Sequence, residues 1–467
     1  MMFKLAREAA SRFDVDPYYL VSNESIQRFL LEKGIGPGRI IYLNSDIVSR
    51  IHDGKPADIR GLEKMEEKYG IPNLMLFWEG MRIHKGYTYE DSLKRMEAVF
   101  EVTERMFLRH DFDFALVDTL VANMQMMFLL ALFETHGRPF YCISSCKIPG
   151  RFVVTRGFDE RYPLLEKVYG EIKHRALTPE EEGLAEEFLL TFKEKKQPER
   201  LEDAKIRGRR ILDPGRIGRG LHAVWESYRF GSHTKGIRRH GPLAPLKYIT
   251  NNLVSEIKAK LYRRLPLFEA PGKGEKYMVF FLHKQPEATT FVKAPFFLNQ
   301  EAVVENIAKS LPIGVRLYVK PHFNDFGGKP LSFYKNLVSR PNIKLIKVDA
   351  DPIELVRNSL GVITITGTVG WEGLLMGKPV LTLGSIFYNV QDQVMHLTDM
   401  TRLPEKLQYA VHEYEPDEVL AKKFIVAMFK SSHEGVIAPP AFSPKVLSGE
   451  NIRLIVDGLE REGVFRR

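Results

Sequence analysis

Hydrophobic and polar positions follow one rhythm over most of this chain: short apolar runs alternate with segments of helical period. The rhythm is clearest from Tyr277 onward. There it predicts strands at 277–283, 316–320, 343–348, 361–365 and 380–383, with helices near 300–310, 331–338, 352–358 and 369–376. The stretch 361–384, GVITITGTVGWEGLLMGKPVLTLG, contains the whole unit. Val362 to Ile365 suit a buried strand, and Thr366-Gly367-Thr368 makes a tight loop. A short helix follows, with Gly377 at its C-cap and Lys378-Pro379 forbidding more helix.

The first part of the chain reads in the same way. Helices are predicted over 1–12, 24–32, 89–109 and 121–135, and strands over 18–21, 39–43, 112–117 (ending at Asp118) and 139–143. A helix over 177–195 opens on Thr178-Pro179-Glu180-Glu181. Strands alternating with helices predict an α/β fold with parallel sheets in two Rossmann-like lobes. The lobes are placed at 1–175 and 271–410, joined by a helical, basic segment at 176–270. Helices over 411–467 are expected to pack back across the lobes. A chain of 467 residues is too long for one core, which agrees with this division.

Charge changes the picture in one place. The chain carries +9, yet residues 205–264 hold fifteen Lys and Arg against Asp213, Glu226 and Glu256, a net +12 that leaves the remainder at −3. The last helix of this segment, 247–264, sets Ile249, Leu253, Ile257 and Leu261 in one stripe, with Lys258, Lys260, Arg263 and Arg264 beside it. Such a helix either packs its stripe on its own domain or rests on an anionic membrane surface. Few aromatics interleave with these charges, so nucleic acid is not an expected partner. Two cysteines, Cys142 and Cys146, in so long a chain point to a reducing compartment, the cytoplasm. They lack a nearby His/Cys pair and do not read as a zinc site. No signal sequence is visible at the start, and the apolar run 122–133 is too short to span a bilayer.

Several familiar motifs are excluded by context. Gly373 to Lys378 has the wrong spacing for a phosphate-binding P-loop, and Gly367, Gly370 and Gly373 do not form a dinucleotide fingerprint. Asp349-Ala350-Asp351 spells a metal-binding D-x-D, but Asp351 followed by Pro352 and Glu354 reads as a helix cap. Ligands of an open parallel sheet bind outside the carboxyl ends of its strands. Read by that rule, His283 and Glu287 follow the first strand of the second lobe, and Lys320 and His322 the second. Thr366, Gly367, Thr368 and Glu372 follow the fourth, with Gly384 and Tyr388 after the fifth. Each has an ordinary structural explanation: a loop carboxylate, a solvated lysine, a packed histidine or a capping threonine. Together they describe a nucleotide or nucleotide-sugar phosphate site. The hydroxyl loop and helix N-terminus hold phosphate oxygens, Lys320 or His322 neutralises the departing phosphate, and Glu372 accepts from ribose or sugar hydroxyls. Glu287, His283 and, from the first lobe, Asp118 are the candidates for deprotonating an acceptor hydroxyl.

Three segments in order, LHKQPEATT (282–290), LYVKPH (317–322) and TITGTVGWEGLLMGKPVLTLG (364–384), with Phe387-Tyr388 after them, resemble the capsular polysaccharide biosynthesis and export proteins, which include bacterial Kdo transferases. In the first lobe the likeness rests on Ile148-Pro149-Gly150-Arg151-Phe152 alone. The resemblance implies a two-lobed GT-B fold and a glycosyltransferase using a nucleotide-sugar donor, CMP-linked in the Kdo transferases, with a surface-glycan or lipid-linked acceptor. No metal and no cofactor apart from the donor substrate are expected. His322 matches the histidine of the family's Lys-Glu-His-Pro motif, Thr366-Gly367-Thr368 its phosphate-side loop, and Glu372 its Gly-Trp-Glu. Pro321 and Phe323 depart from that motif, which bears on CMP-Kdo specificity. A nucleotide-sugar epimerase, acting on donor alone, and a non-catalytic export protein, binding no nucleotide, are the alternatives. The expected location is the cytoplasm, with peripheral contact at the inner face of the membrane.

Overall fold

A computed structural model describes residues 1–79, 87–118, 123–158, 162–195, 244–285, 287–438 and 443–466. Most of the basic segment, 196–243, and the first residues of the predicted 121–135 helix lie outside the described residues. The described chain divides into two compact units. One takes 1–157, 244–250 and 433–466; the other takes 158–195 and Asn251–Ser432.

In the first unit, β1 (Tyr19–Val21) and β2 (Ile40–Tyr42) form a small parallel pair across the helix Glu24–Glu32. Val21, Leu30 and Ile40 make its core. Strands β3 (Ala115–Asp118) and β4 (Phe140–Ser145) are parallel, as the alternation predicted, but β5 (Arg151–Arg156) runs antiparallel to β4. The sheet of this unit is therefore mixed rather than wholly parallel. The cause is local: only five residues separate β4 from β5, whereas a parallel crossover needs a dozen or more. The Cys146 N–H donates to the Arg151 carbonyl at 3.0 Å, and Gly150 takes φ +75° to close the turn.

The second unit carries β6 (Tyr277–Phe281), β7 (Arg316–Lys320), β8 (Ile343–Leu345), β9 (Gly361–Thr364), β10 (Val380–Thr382) and β11 (Val394–His396). They form one parallel sheet in the order β11-β10-β9-β6-β7-β8. Met278, Phe280, Leu317, Val319, Ile363 and Leu381 point into a core on one face. Tyr277, Val279, Tyr318 and Val362 belong to the core on the other. Burial on both faces is why these strands read as unbroken apolar runs. Each such side chain contributes about 1.5–3 kcal/mol. All five predicted strands are present; β11 was not foreseen. The chain then returns to the first unit as β12 (His433–Glu434), antiparallel to β5, followed by the helix Gly449–Arg461. Ile452, Ile455, Val456 and Leu459 of that helix pack with Leu5, Ile143 and Phe152.

Packing decides the D-x-D alternative and shows how the basic helix is seated. Asp351 caps its helix, its Oδ1 accepting from the Ile353 N–H at 2.8 Å, while Asp349 pairs with Arg263 at 3.1 Å. The D-x-D pair is thus structural, and no group of three or more candidate metal ligands occurs among the described residues. The helix Ala244–Tyr262 packs through Ala259 and Tyr262, the latter edge-on to Phe326 and Tyr334. Its Leu253, Ile257 and Leu261 face outward instead of into the unit.

Candidate functional site

From β6 the chain steps to β7 and β8 on one side, then crosses back to lay β9, β10 and β11 on the other. The strand order therefore reverses between β6 and β9. The crevice outside their carboxyl ends is the topological switch point, where open α/β sheets bind ligands. His283 follows β6 and Thr366-Gly367-Thr368 follows β9, so both stand at this point.

The loop after β9 is held from three sides. Thr364, the last residue of the strand, accepts the Gly367 N–H on Oγ1 at 2.9 Å. The Tyr388 hydroxyl donates to the Gly367 carbonyl at 2.6 Å. The Gly384 N–H donates to the Ile365 carbonyl at 2.9 Å. The helix Thr368–Leu375 starts directly from Gly367, and no side chain caps it. Its far end closes as expected: Gly377 has φ +68°, and Lys378 N–H reaches the Gly373 carbonyl at 2.9 Å. Within the loop Thr366 is only 7% exposed, yet its Oγ1 has no hydrogen-bond partner in the protein. A buried orphan hydroxyl costs about 1–3 kcal/mol. Beside it an uncapped helix start offers N–H donors and the positive end of a dipole. Such donors are of the kind that suit an anion.

His283 is fixed by its own backbone. Its N–H donates to Gln300 Oε1 at 2.7 Å, and Gln300 Nε2 donates to its carbonyl at 3.0 Å. The imidazole Nε2 lies 3.4 Å from Thr364 Oγ1 and 3.5 Å from the Thr366 amide nitrogen. Burial, and secondarily the neighbouring His322, push the imidazole down from 6.5 to about 4. It is neutral at pH 7, too weak a base to deprotonate a hydroxyl well, and placed to support the loop. Because the unfolded chain protonates first, stability falls as pH drops from about 6.5 toward 4. The expected loss from this group is about 2 kcal/mol by pH 5. Urea unfolding at pH 7 and pH 5 should show it, and His283→Gln should shrink the difference.

The remaining predicted residues divide. Lys320 is buried, 6% exposed, and its ammonium donates to the Val348 carbonyl at 2.8 Å. It therefore anchors the loop after β8. His322 is half-buried and close enough to act on His283; its Nδ1 accepts the Asn324 N–H at 3.2 Å. Glu287 begins the helix Ala288–Lys293, where its carbonyl accepts from the Thr290 hydroxyl at 3.2 Å. Thr368 is exposed at the helix start, and Glu372 is half-buried one turn further on. Asp118 belongs to the first unit, at the end of β3. There it faces the Met1 amino group, whose pKa is lowered by burial and then by Lys4, with Asp118 opposing.

One group, Asp325, and one role, that of Tyr388, escape a sequence reading. Asp325 has its carboxyl raised mainly by burial, with Glu287 acting in the same sense and Lys329, the Gln285 N–H and Lys284 opposing. Lys329 in turn donates to Gln285 Oε1 at 2.8 Å. Tyr388 was placed on the rim by its position after the fifth strand, but its grip on the Gly367 carbonyl comes from tertiary structure. Asp325 carried a signal only in its position three residues after His322.

Fold and site together define an α/β protein with a loop of unpartnered donors at the switch point of its second sheet. Residues 228–431 match the family model for capsule polysaccharide biosynthesis proteins, which bears out the resemblance read from the three motifs. Protein FixF of Sinorhizobium fredii is 46% identical over 72 residues, 15% of this chain and 17% of that protein. Capsule polysaccharide modification protein LipA of Neisseria meningitidis serogroup A is 35% identical over 72 residues, 15% of this chain and 10% of that protein. These matches span between 10% and 17% of the curated relatives' own length. Among solved structures, a Thermosulfurimonas dismutans KpsC, a beta Kdo 2,7 transferase, aligns over 78% of this chain and 89% of its own, at 13% identity and a TM-score of 0.35. That likeness is too distant to transfer chemistry.

Proposed function

We propose that this chain is a glycosyltransferase of the GT-B type acting in capsule polysaccharide synthesis. It takes a nucleotide-sugar donor, of the CMP-Kdo kind in the family's transferases, and passes the sugar to a glycan or lipid-linked acceptor. The observation that carries this reading is the buried, unpartnered Thr366 hydroxyl beside the uncapped start of the helix Thr368–Leu375. A donor phosphate satisfies both at once. Charge accumulates on that phosphate as the glycosidic bond breaks, and fixed N–H and O–H donors stabilise it without reorganising. His283 holds the loop from below. Glu287 is the carboxylate assigned to the acceptor hydroxyl, and Glu372 takes the sugar or ribose hydroxyls. The family match over 228–431 supports the same reading.

The test is transfer itself. Purified chain, a labelled nucleotide-sugar and a capsule-derived acceptor should yield labelled glycan together with one equivalent of free nucleotide. Conversion of donor alone into an isomer, with no labelled glycan, would favour epimerisation instead.

A further inference from the structure

The helix Ala244–Tyr262 leaves an apolar row on the outside. Leu253 is 37% exposed, Val254 47%, Ile257 47% and Leu261 56%. The row is not an accident of a loosely packed helix, because the opposite face is firmly seated. Ala259 and Tyr262 are buried there, and Gly327 approaches so closely that a Cβ on it would lie 2.2 Å from the Ser255 carbonyl oxygen. The helix cannot rotate to hide the row without losing that contact.

Cations flank the row. Lys260 stands three residues after Ile257 and seven after Leu253, on one edge; Lys258 stands four after Val254, on the other. Arg264 follows the helix end, three residues after Leu261. Among the described residues none of these three forms an ion pair, whereas Arg263 is engaged with Asp349 at 3.1 Å. Glu256, the acidic residue of this stretch, lies off the exposed face.

We infer that this face lies on an anionic lipid bilayer, with Leu253, Val254, Ile257 and Leu261 entering the headgroup–acyl boundary and Lys258, Lys260 and Arg264 meeting lipid phosphates. An acidic protein or a free glycan would answer the cations alone and leave the apolar row in water. A lipid interface offers an apolar layer and anionic groups across the width of one helix. Long basic side chains extend to the headgroups while their stems cover apolar surface. No helix among the described residues is long and apolar enough to cross a membrane. This inference does not depend on the glycosyltransferase reading.

The experiment is co-sedimentation of the full chain with vesicles of phosphatidylglycerol mixed into phosphatidylcholine, and with vesicles of phosphatidylcholine alone. The chain should sediment with the first and scarcely with the second, less so as salt rises. Leu253→Ser, Ile257→Ser and Leu261→Ser together should cut retention on the anionic vesicles at least about tenfold. The melting temperature should be kept, since these residues are exposed. Lys258→Gln, Lys260→Gln and Arg264→Gln together leave the apolar row intact and should weaken binding about a hundredfold, at roughly tenfold or less per cation. No binding of the unaltered chain to anionic vesicles would overturn the inference. So would retention unchanged in both variants, or a dimer in light scattering that the serine variant abolishes without affecting vesicle binding. Nucleotide binding, measured separately, should be the same in all three proteins.

Discussion

Thr366→Val should make the unliganded protein more stable and the liganded one weaker. Valine keeps the β-branched shape of threonine, so the packing of the Thr366 Cγ2 near Gly384 is preserved. What disappears is a buried hydroxyl without a partner, worth about 1–3 kcal/mol of stability when removed. In the proposed function the same hydroxyl is the group offered to a donor phosphate. A hydrogen bond to a charged partner contributes about 1.5–3 kcal/mol, so nucleotide affinity should fall by roughly 10- to 150-fold. Thr366→Ser restores the hydroxyl and should restore most of the affinity. Differential scanning calorimetry with and without nucleotide reads both halves. A destabilised apo protein, or unchanged affinity, would show that the hydroxyl has some other role.

Gly370→Ala should damage the site from beneath. In the middle of a helix this exchange ordinarily gains about 0.5–1 kcal/mol. Here the new Cβ would lie 2.2 Å from the Tyr388 hydroxyl oxygen, 2.7 Å from Cζ and 3.0 Å from Cε2. Tyr388 is fully buried and stands edge-on to Phe387, so the ring has little room to retreat. Overpacking of this kind costs about 1–3 kcal/mol, enough to cancel the helical gain and more. Moving the ring also withdraws its hydrogen bond from the Gly367 carbonyl, which frees the loop. Both the unfolding midpoint in urea and nucleotide affinity should fall. Tyr388→Phe, which removes the clashing oxygen, should relieve only part of the strain in the double variant, because Cζ remains. An unaltered midpoint in Gly370→Ala would mean that the ring yields freely.

The second unit was legible because its strands are buried on both faces and its punctuation is strict. Asp351-Pro352 opens a helix, Gly377 closes one, and Val362-Ile363 can be little but a core strand. The rim residues sorted by strand end for the same reason: in a parallel sheet, sequence order alone tells which loops share an edge. What sequence could not supply was direction of side chains. Lys320 ends its strand at the right edge, but its ammonium turns to the Val348 carbonyl. His283 reads as a base until burial and the Thr364–Thr366 loop show it held neutral. The first unit was harder because the reversal at 146–150 depends on a short turn, and short apolar strands of either direction look alike. The exposed row on the helix Ala244–Tyr262 gave the opposite lesson. Its period of four was plain in the sequence, but only packing at Ala259, Tyr262 and Gly327 shows which face is left outside.

The most direct measurement is calorimetric titration of CMP, CDP, UDP and GDP into the unaltered chain and into Thr366→Val. At least one nucleotide should bind saturably to the former, stabilising it by about 2.7 kcal/mol at a hundred times its Kd, and should bind Thr366→Val at least about tenfold more weakly. Absence of binding by all four, or equal affinity in the two proteins, would contradict a phosphate seat in the loop between Thr364 and Thr368.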